Sequence, residues 1–509
     1  MNLGRTGERE AALEILTRIR ESGEYSHIAV KEVLDRCERE GMDRRQRAFV
    51  KRLTEGVIER RIELDDVIRK YTKKGVRIKP VVRDILRMGI FQILYMDAVP
   101  DSAACNEAVK LTKANGKEEV AGFVNGILRN VARGKDVLMS AQTPSKERTG
   151  AGFGNAGGSI SSNSGITLLS RKYSMPEWII RMWNRQFPPE ETEKLLASFL
   201  EVRPVTIRFD DRCTEAQREE ILSQFMQTGV GVRKGHYLPY CYELTGTDSI
   251  SKLPGYREGF WTVQDESSMM VAEAAGLTGG ETVYDVCAAP GGKATHCAAK
   301  LLALKDAAEC IDLSHAPRGL SEQQAVQAAD ADHPQKAPGT VHAFDLSKGK
   351  VSLIEKNARR MHLSNLVAEQ RDALAPVPEE EKGKADVLLC DLPCSGLGVI
   401  GRKRDIKYHV SEKQLEELQE LQKEILTNAV QYLKEGGTLI YSTCTINRGE
   451  NEEIAEFIEK ELGFEPDPLA SHLPAGIPGI EEGPERNRLQ MLPHVHGTDG
   501  FFLARFKKA

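Results

Sequence analysis

Cys394 lies in "LLCDLPCSGLG" (388–398) and Cys444 in "LIYSTCTINRGENEE" (439–453). Each follows an apolar run that reads as a strand, and each opens a loop of small and polar residues. A thiolate is a strong nucleophile, whereas most buried thiols are inert packing. One reaction that needs such a group is alkylation at carbon 5 of cytosine, a carbon too weakly nucleophilic to react unaided. Thiolate addition to carbon 6 turns the ring into an enamine that is nucleophilic at carbon 5. A base then removes the carbon 5 proton and the thiolate leaves. One cysteine is the minimum, and a second could help to expel the first. The residues alone leave open which does what.

A second constellation is "DVCAAPGGKATH" (285–296), between an apolar strand and a helix. Gly291 and Gly292 let backbone approach a ligand closely, and the helix N-terminus behind them favours negative charge. It is not a P-loop: Cys287 stands where the first glycine would be, and Ala294 follows Lys293. No GxGxxG is present either. An acid at the end of the next strand would hold a ribose diol. Asp312 in "ECIDLS" and Asp345 in "HAFDLS" compete for that place. Asp345 is preferred, because a strand leads in and an amphipathic helix leads out. Residues 303–339 would then form an inserted, partly ordered surface loop. Asp372, after a third strand, is placed to meet a purine.

These residues need a scaffold that brings them to one edge. From about residue 263 the pattern is strand–loop–helix, repeated: "TVYDV", "TVHAFDLS", "NLVAEQRDA", "ADVLLCDLP" and "TLIYST" alternate with helices. That order predicts an open, largely parallel α/β sheet with its ligand site at the carboxyl ends of the strands. A helix opened by a Ser411/Gln414 capping box is expected to run to Gly436. Residues 170–262 mix a tryptophan-bearing helix, "RPVTIRF", a helix ended at Gly229 and "GFWTVQ". They predict a small α+β domain, with a sheet that could face RNA. Trp178 and Trp183 are expected in its core. Residues 138–169, rich in Gly, Ser and Asn, predict a flexible linker. Residues 1–137 show only helical periodicity and predict an all-α bundle.

With 509 residues, several domains are expected. Charged residues are 28% and hydrophobic ones 40%, an ordinary soluble composition. No run is long and apolar enough for a membrane span, and the N-terminus lacks the apolar core of a signal peptide, so no membrane association and a cytoplasmic setting are expected. The ten cysteines include no CxxC pair, so neither a zinc ribbon nor another metal is expected. The net charge of −5 conceals an asymmetry. Residues 1–140 carry 28 Lys+Arg against 22 Asp+Glu, and the remainder 42 against 53. A basic front end on an acidic body suits a polyanionic partner.

Together these motifs resemble the NOL1/NOP2/Sun family of RNA cytosine-5 methyltransferases that use S-adenosylmethionine. "DVCAAPGGKATH" is similar to that family's cofactor loop, "DLPCSGLG" to its Pro-Cys motif and "YSTCT…ENE" to its Thr-Cys motif; "FWTVQDESSMMV" and "HGTDGFFLARFKK" also fit. The N-terminal 137 residues resemble NusB, an RNA-binding helical bundle, a fusion found in bacterial 16S ribosomal RNA methyltransferases. The resemblance implies a Rossmann-like class I methyltransferase domain over 263–509, acting on 16S ribosomal RNA as a monomer. It implies Cys444 as nucleophile and Cys394 as the group that assists release. It also implies that Cys287, Ala288, Ala289, Pro290, Gly291, Gly292, Lys293, Asp345, Asp372 and Asp391 line the S-adenosylmethionine site, with Asp391 and Lys293 also facing the target base. The same chemistry on transfer RNA, or an inactive assembly factor, are the alternatives. Two departures stand out: the family usually has a short connection in place of 303–339, and "VTIRFDD" replaces Arg-Val-Asn, keeping Arg208.

Overall fold

The computed structural model describes residues 7–140, 163–247, 249–314, 338–480 and 486–509. The chain divides into two compact units. One comprises residues up to Glu201 together with Ile400–Val410, and the other comprises Val202–Val399 and Ser411–Ala509.

The first unit is helical. Its core is built on the helix Pro80–Tyr95, whose residues Ile85, Leu86, Ile90, Phe91 and Leu94 are all buried. Helix Arg44–Glu59 crosses it at Gly56, where an added Cβ would lie 1.9 Å from the Phe91 ring. Only glycine permits that approach. Helices Asn163–Tyr173, Glu177–Gln186 and Pro189–Ser198 belong to this unit. The first helices of the stretch 170–262 thus lie with the helical unit and its strands with the other. Trp183 is fully buried and Trp178 half-buried. The segment Ile400–Val410 completes the unit. Ser26 donates its N–H (2.6 Å) and hydroxyl (2.7 Å) to the Asp405 carboxylate. Arg404 pairs with Glu55 and Glu59, each at 2.8 Å, and Lys407 Nζ donates to the Glu59 carbonyl at 2.8 Å.

The second unit holds two sheets. The smaller has strands β1 (Val205–Phe209), β2 (Gly231–Lys234), β3 (Cys241–Thr245) and β4 (Trp261–Val263), antiparallel in the order β2-β3-β1-β4. Helix Glu215–Gln227, opened by a Thr214/Gln217 capping box, packs Phe225 edge-on against Trp261. The larger sheet contains β5 (Thr282–Asp285), β6 (Thr340–Asp345), β7 (Leu366–Gln370), β8 (Ala385–Asp391), β9 (Leu433–Thr443), β10 (Phe464–Pro466), β11 (Arg488–Met491) and β12 (Phe501–Lys508). Strands β7-β6-β5-β8-β9 are parallel in that order; β12 joins β9 antiparallel and pairs on its other side with β10 and β11. The direction of winding reverses between β5 and β8, and such a switch point opens a crevice at the carboxyl ends of the strands.

Three expectations change. Helix Gly292–Ser314 carries the chain past residue 303, because "LLALKDAAE" is made of strong helix formers. Asp312 is thus helical and ends no strand, and residues 315–337 lie outside the described residues. The linker's flanks are helical, at Lys135–Ser140 and from Asn163, and its centre, 141–162, also lies outside them. Ser411 does cap its helix, accepting from the Gln414 N–H, but that helix stops at Ala429. A 3-10 turn over Val430–Tyr432 buries Tyr432 and starts β9 at once. Gly436, at φ 69°, sits instead in an irregularity of β9 where its pairing with β8 shifts register.

Candidate active site

The carboxyl ends of β5, β6, β8 and β9 deliver the residues singled out above. Asp285 ends β5, Asp345 ends β6, Asp391 ends β8, and Cys444 follows β9 directly. Cys394 comes three residues after β8, past the turn made by Pro393. The two thiols meet: Cys394 Sγ lies 3.5 Å from Cys444 Sγ, and both residues are half-buried. Their hydrogen bond, followed by burial and the nearby Glu450 and Asp391 charges, pushes the Cys394 pKa well up. Cys394 therefore rests as a thiol.

Two loops hold this pair, and they are fastened to each other. Glu450 accepts from the Ser395 N–H (2.8 Å), from the Ser395 hydroxyl (2.6 Å) and from Asn447 Nδ2 (3.3 Å). The Thr445 and Ser395 hydroxyls are 2.7 Å apart, and Thr445 Oγ1 accepts from the Leu397 N–H at 3.3 Å. Gly398 donates to the Cys444 carbonyl at 3.0 Å and accepts from the Gly500 N–H at 2.9 Å. Backbone runs against backbone here: a Cβ on Gly398 would lie 1.9 Å from the Gly500 carbonyl oxygen. Asn451 takes the Thr443 hydroxyl at 2.6 Å and donates to the Thr445 carbonyl at 3.2 Å.

Beside the thiols is a charged pair. Lys293 Nζ donates to Asp391 Oδ2 at 2.6 Å, Ser442 donates to Asp391 Oδ1 at 3.0 Å, and the ammonium lies over the Phe501 ring at 5.2 Å. Burial disfavours the Lys293 ammonium, but Asp391, Asp285 and the Cys444 thiol outweigh it and raise its pKa. Asp285 is buried behind them. Burial, then the Asp391 charge, pushes its pKa up to about 7 against the pull of Lys293. Among the described residues its carboxylate oxygens have no full hydrogen bond, although the Cys287 N–H is near.

The glycine loop closes the crevice. Gly291 adopts φ 101° and would place a Cβ 3.2 Å from Ile354, so the turn from strand to helix requires glycine. Ala288 donates to the Phe344 carbonyl at 2.8 Å and Ala289 to Asp345 Oδ2 at 3.2 Å. Asn357 anchors the Pro290 carbonyl at 3.0 Å, and Lys350 pairs with Asp345 at 3.3 Å. Cys287 is half-buried with its pKa raised by burial and neighbouring carboxylates. Gly292 opens the helix that carries Lys293. Asp372 stands apart from this cluster: it is exposed and takes the N–H of Leu374 at 2.9 Å. Arg208 is fully buried, with Nε on Gln264 Oε1 at 2.8 Å.

Four groups escaped the residue-by-residue reading: Asp285, Ser442, Glu450 and the Gly398–Gly500 contact. Asp285 and Glu450 head quoted motifs, but nothing in a linear motif tells a structural acid from one aimed at a site. Among the described residues, no cluster of three or more His, Cys, Asp or Glu could hold a metal ion, and no helix is long and apolar enough to cross a membrane.

Comparisons with known proteins match three successive parts of the chain. Residues 299–507 match the family model "16S rRNA methyltransferase RsmB/F", residues 6–133 match the NusB family, and residues 175–251 match the ferredoxin-like domain of RsmF/B-like methyltransferases. A probable ribosomal RNA small subunit methyltransferase B of Bacillus subtilis is 33% identical over 99% of both chains. Its namesake in Synechocystis is 30% identical over 98% of this chain and 99% of its own. The crystal structure of PH0851 superposes with a TM-score of 0.72, covering 100% of both chains at 23% identity, and shares the fold.

Proposed function

The chain belongs to the RsmB/F family of 16S rRNA methyltransferases, and from that premise we propose that it methylates carbon 5 of a cytosine in 16S ribosomal RNA through a cysteine adduct. The observation that carries the reading is the pair of thiols 3.5 Å apart beside the Lys293–Asp391 ion pair.

S-adenosylmethionine, when bound, supplies an electrophilic methyl group. The residues present suit it. Asp345, at the end of β6, takes the ribose diol, and the 287–292 loop lines the cofactor with its backbone. Asp285, Asp345 and Asp391 gather at this edge beside Lys293 and Lys350, an acidic lining that suits a ligand bearing an ammonium and a sulfonium. Asp372, on the rim, meets the adenine. The target nucleotide leaves its stack to enter. Asp391, held by Lys293 and Ser442, takes the amino edge of the cytosine. Cys444 Sγ bonds to carbon 6, and the ring electrons shift to carbon 5. Once the Cys444 sulfur is bound to carbon, its charge no longer holds the Cys394 proton, which passes to solvent water; after carbon 5 is alkylated, the resulting Cys394 thiolate takes the carbon 5 proton. The carbon 5–carbon 6 double bond reforms, and the carbon–sulfur electrons return to Cys444.

In this reading residues 1–137 grip RNA, 138–169 lead on to the rest of the helical unit, 170–262 add RNA contacts, and 263–509, apart from 400–410, catalyse. The test is transfer of labelled methyl from S-adenosylmethionine to protein-free 16S RNA, with the labelled base mapped, by wild type and Cys444→Ala. Label on one cytosine, absent with the variant, is expected. Label on transfer RNA alone, or cofactor binding without transfer, refutes it.

A further inference from the structure

We infer that Glu450 is a positioning residue that aims Cys394 for the release step. The inference rests on the two-thiol reading above and adds a part to it. The Glu450 carboxylate accepts from the N–H (2.8 Å) and the hydroxyl (2.6 Å) of Ser395, the residue that follows Cys394. It also accepts from Asn447, three residues after Cys444. Glu450 is itself fixed, its N–H on the Asn447 carbonyl at 3.1 Å and its own carbonyl taken by the Tyr441 hydroxyl. One carboxylate thus spans the two loops that carry the thiols.

A purely structural tie need not be a carboxylate. Burying a charge costs free energy, and neutral or apolar side chains of similar size fasten loops as well. A carboxylate does two things here that they cannot. Its oxygens accept from both donors of Ser395 at once, fixing the backbone on which Cys394 turns. Its charge also helps to keep Cys394 protonated at rest, so the second thiol does not compete as nucleophile. Fixing that backbone leaves Cys394 Sγ 3.5 Å from the sulfur that must depart.

The test uses the full chain with protein-free 16S RNA and methyl-labelled S-adenosylmethionine. Glu450→Gln keeps the size but opposes an amide N–H to a Ser395 donor; Ser395→Ala removes one of the two bonds. Both are expected to give a first-turnover burst of methyl incorporation close to wild type. Steady-state turnover should then fall by about tenfold to a hundredfold for Glu450→Gln, and less for Ser395→Ala. The protein–RNA adduct on Cys444 should accumulate as it does in Cys394→Ala, with unchanged affinity for S-adenosylmethionine. Burst and steady state falling together, alongside weaker cofactor binding, would mean a merely structural role and overturn the inference. If Glu450→Gln fails to fold, Ser395→Ala carries the same readout. Adduct in Cys394→Ala but wild-type release in both other variants overturns the inference alone. No adduct in Cys394→Ala, with Cys444→Ala active, overturns the two-thiol reading beneath it.

Discussion

Gly398→Ala is the sharpest test of how the site is held. The new methyl would begin 1.9 Å from the Gly500 carbonyl oxygen and 2.8 Å from the Cys444 carbonyl oxygen. Real Cβ atoms essentially never come closer than 3.0 Å to another heavy atom, so the two backbone segments must part by at least 1.1 Å. Both obstacles are backbone and cannot swing away. Parting strains the Gly398–Cys444 and Gly500–Gly398 hydrogen bonds, each about 1 kcal/mol. Overpacking adds about 1–3 kcal/mol. The sum, about 3–5 kcal/mol, lowers the melting temperature by roughly 5–8 °C for a unit of this size. The larger effect is on chemistry. Gly398 lies four residues after Cys394 and bonds the carbonyl of Cys444, so a shift near 1 Å at this point lowers turnover by about a hundredfold. Asp345 and the 287–292 loop lie elsewhere, and cofactor affinity should change little. Methyl transfer to 16S RNA, calorimetric titration of S-adenosylmethionine and thermal unfolding read the three quantities. Wild-type turnover together with a melting temperature within a degree of wild type would refute the close approach and the argument built on it.

Cys444→Ala should abolish turnover and leave cofactor binding intact, while Cys394→Ala should trap a protein–RNA adduct visible on a denaturing gel; normal activity in Cys444→Ala sinks the nucleophile assignment. Asp285 supplies a pH signature. Its folded pKa, about 7, stands above the ordinary 3.8, so its contribution to stability is complete below about pH 4 and is lost as pH rises through 7. The loss is on the order of 4 kcal/mol at most. Unliganded wild type should therefore melt progressively lower between pH 5 and 8, and Asp285→Asn should flatten that decline; parallel profiles would contradict it. Gly56→Ala puts a methyl 1.9 Å from the Phe91 ring and should destabilise the helical unit by about 1–3 kcal/mol, seen in urea unfolding, without altering the affinity of the second unit for S-adenosylmethionine.

What could be read from the residues follows from how local each signal is. The parallel sheet was legible because its strands are short apolar runs at regular intervals, and β5, β6, β7, β8 and β9 fall on the expected stretches. Asp345 was separable from Asp312 because the β-prone "TVHAF" leads in and an amphipathic helix leads out, whereas "SHAPRGL" after Asp312 starts a helix poorly. The meeting of Cys394 and Cys444 followed once both were placed at strand ends of one sheet. Gly436 misled as a helix stop, since a left-handed glycine serves a strand irregularity as well as a C-cap. Glu450 and Gly398 were not legible. Their importance lies in bonds to residues about fifty to a hundred positions away, which no periodicity encodes. The assignment of 400–410 to the helical unit was hidden for the same reason.

That assignment has a temporal side. The helical unit is encoded in two stretches, the first ending at Glu201 and the second at Val410. On a translating ribosome the partners of Ser26, Glu55 and Glu59 are not yet made when the first stretch emerges. Asp405, Arg404 and Lys407 arrive some two hundred residues later, about 10–40 s at ordinary elongation rates. Throughout that interval Ser26, Glu55 and Glu59 lack these partners. The basic module finishes assembling only after the Pro-Cys loop has been synthesised, and a gene cut at residue 201 would encode a bundle permanently short of its last piece.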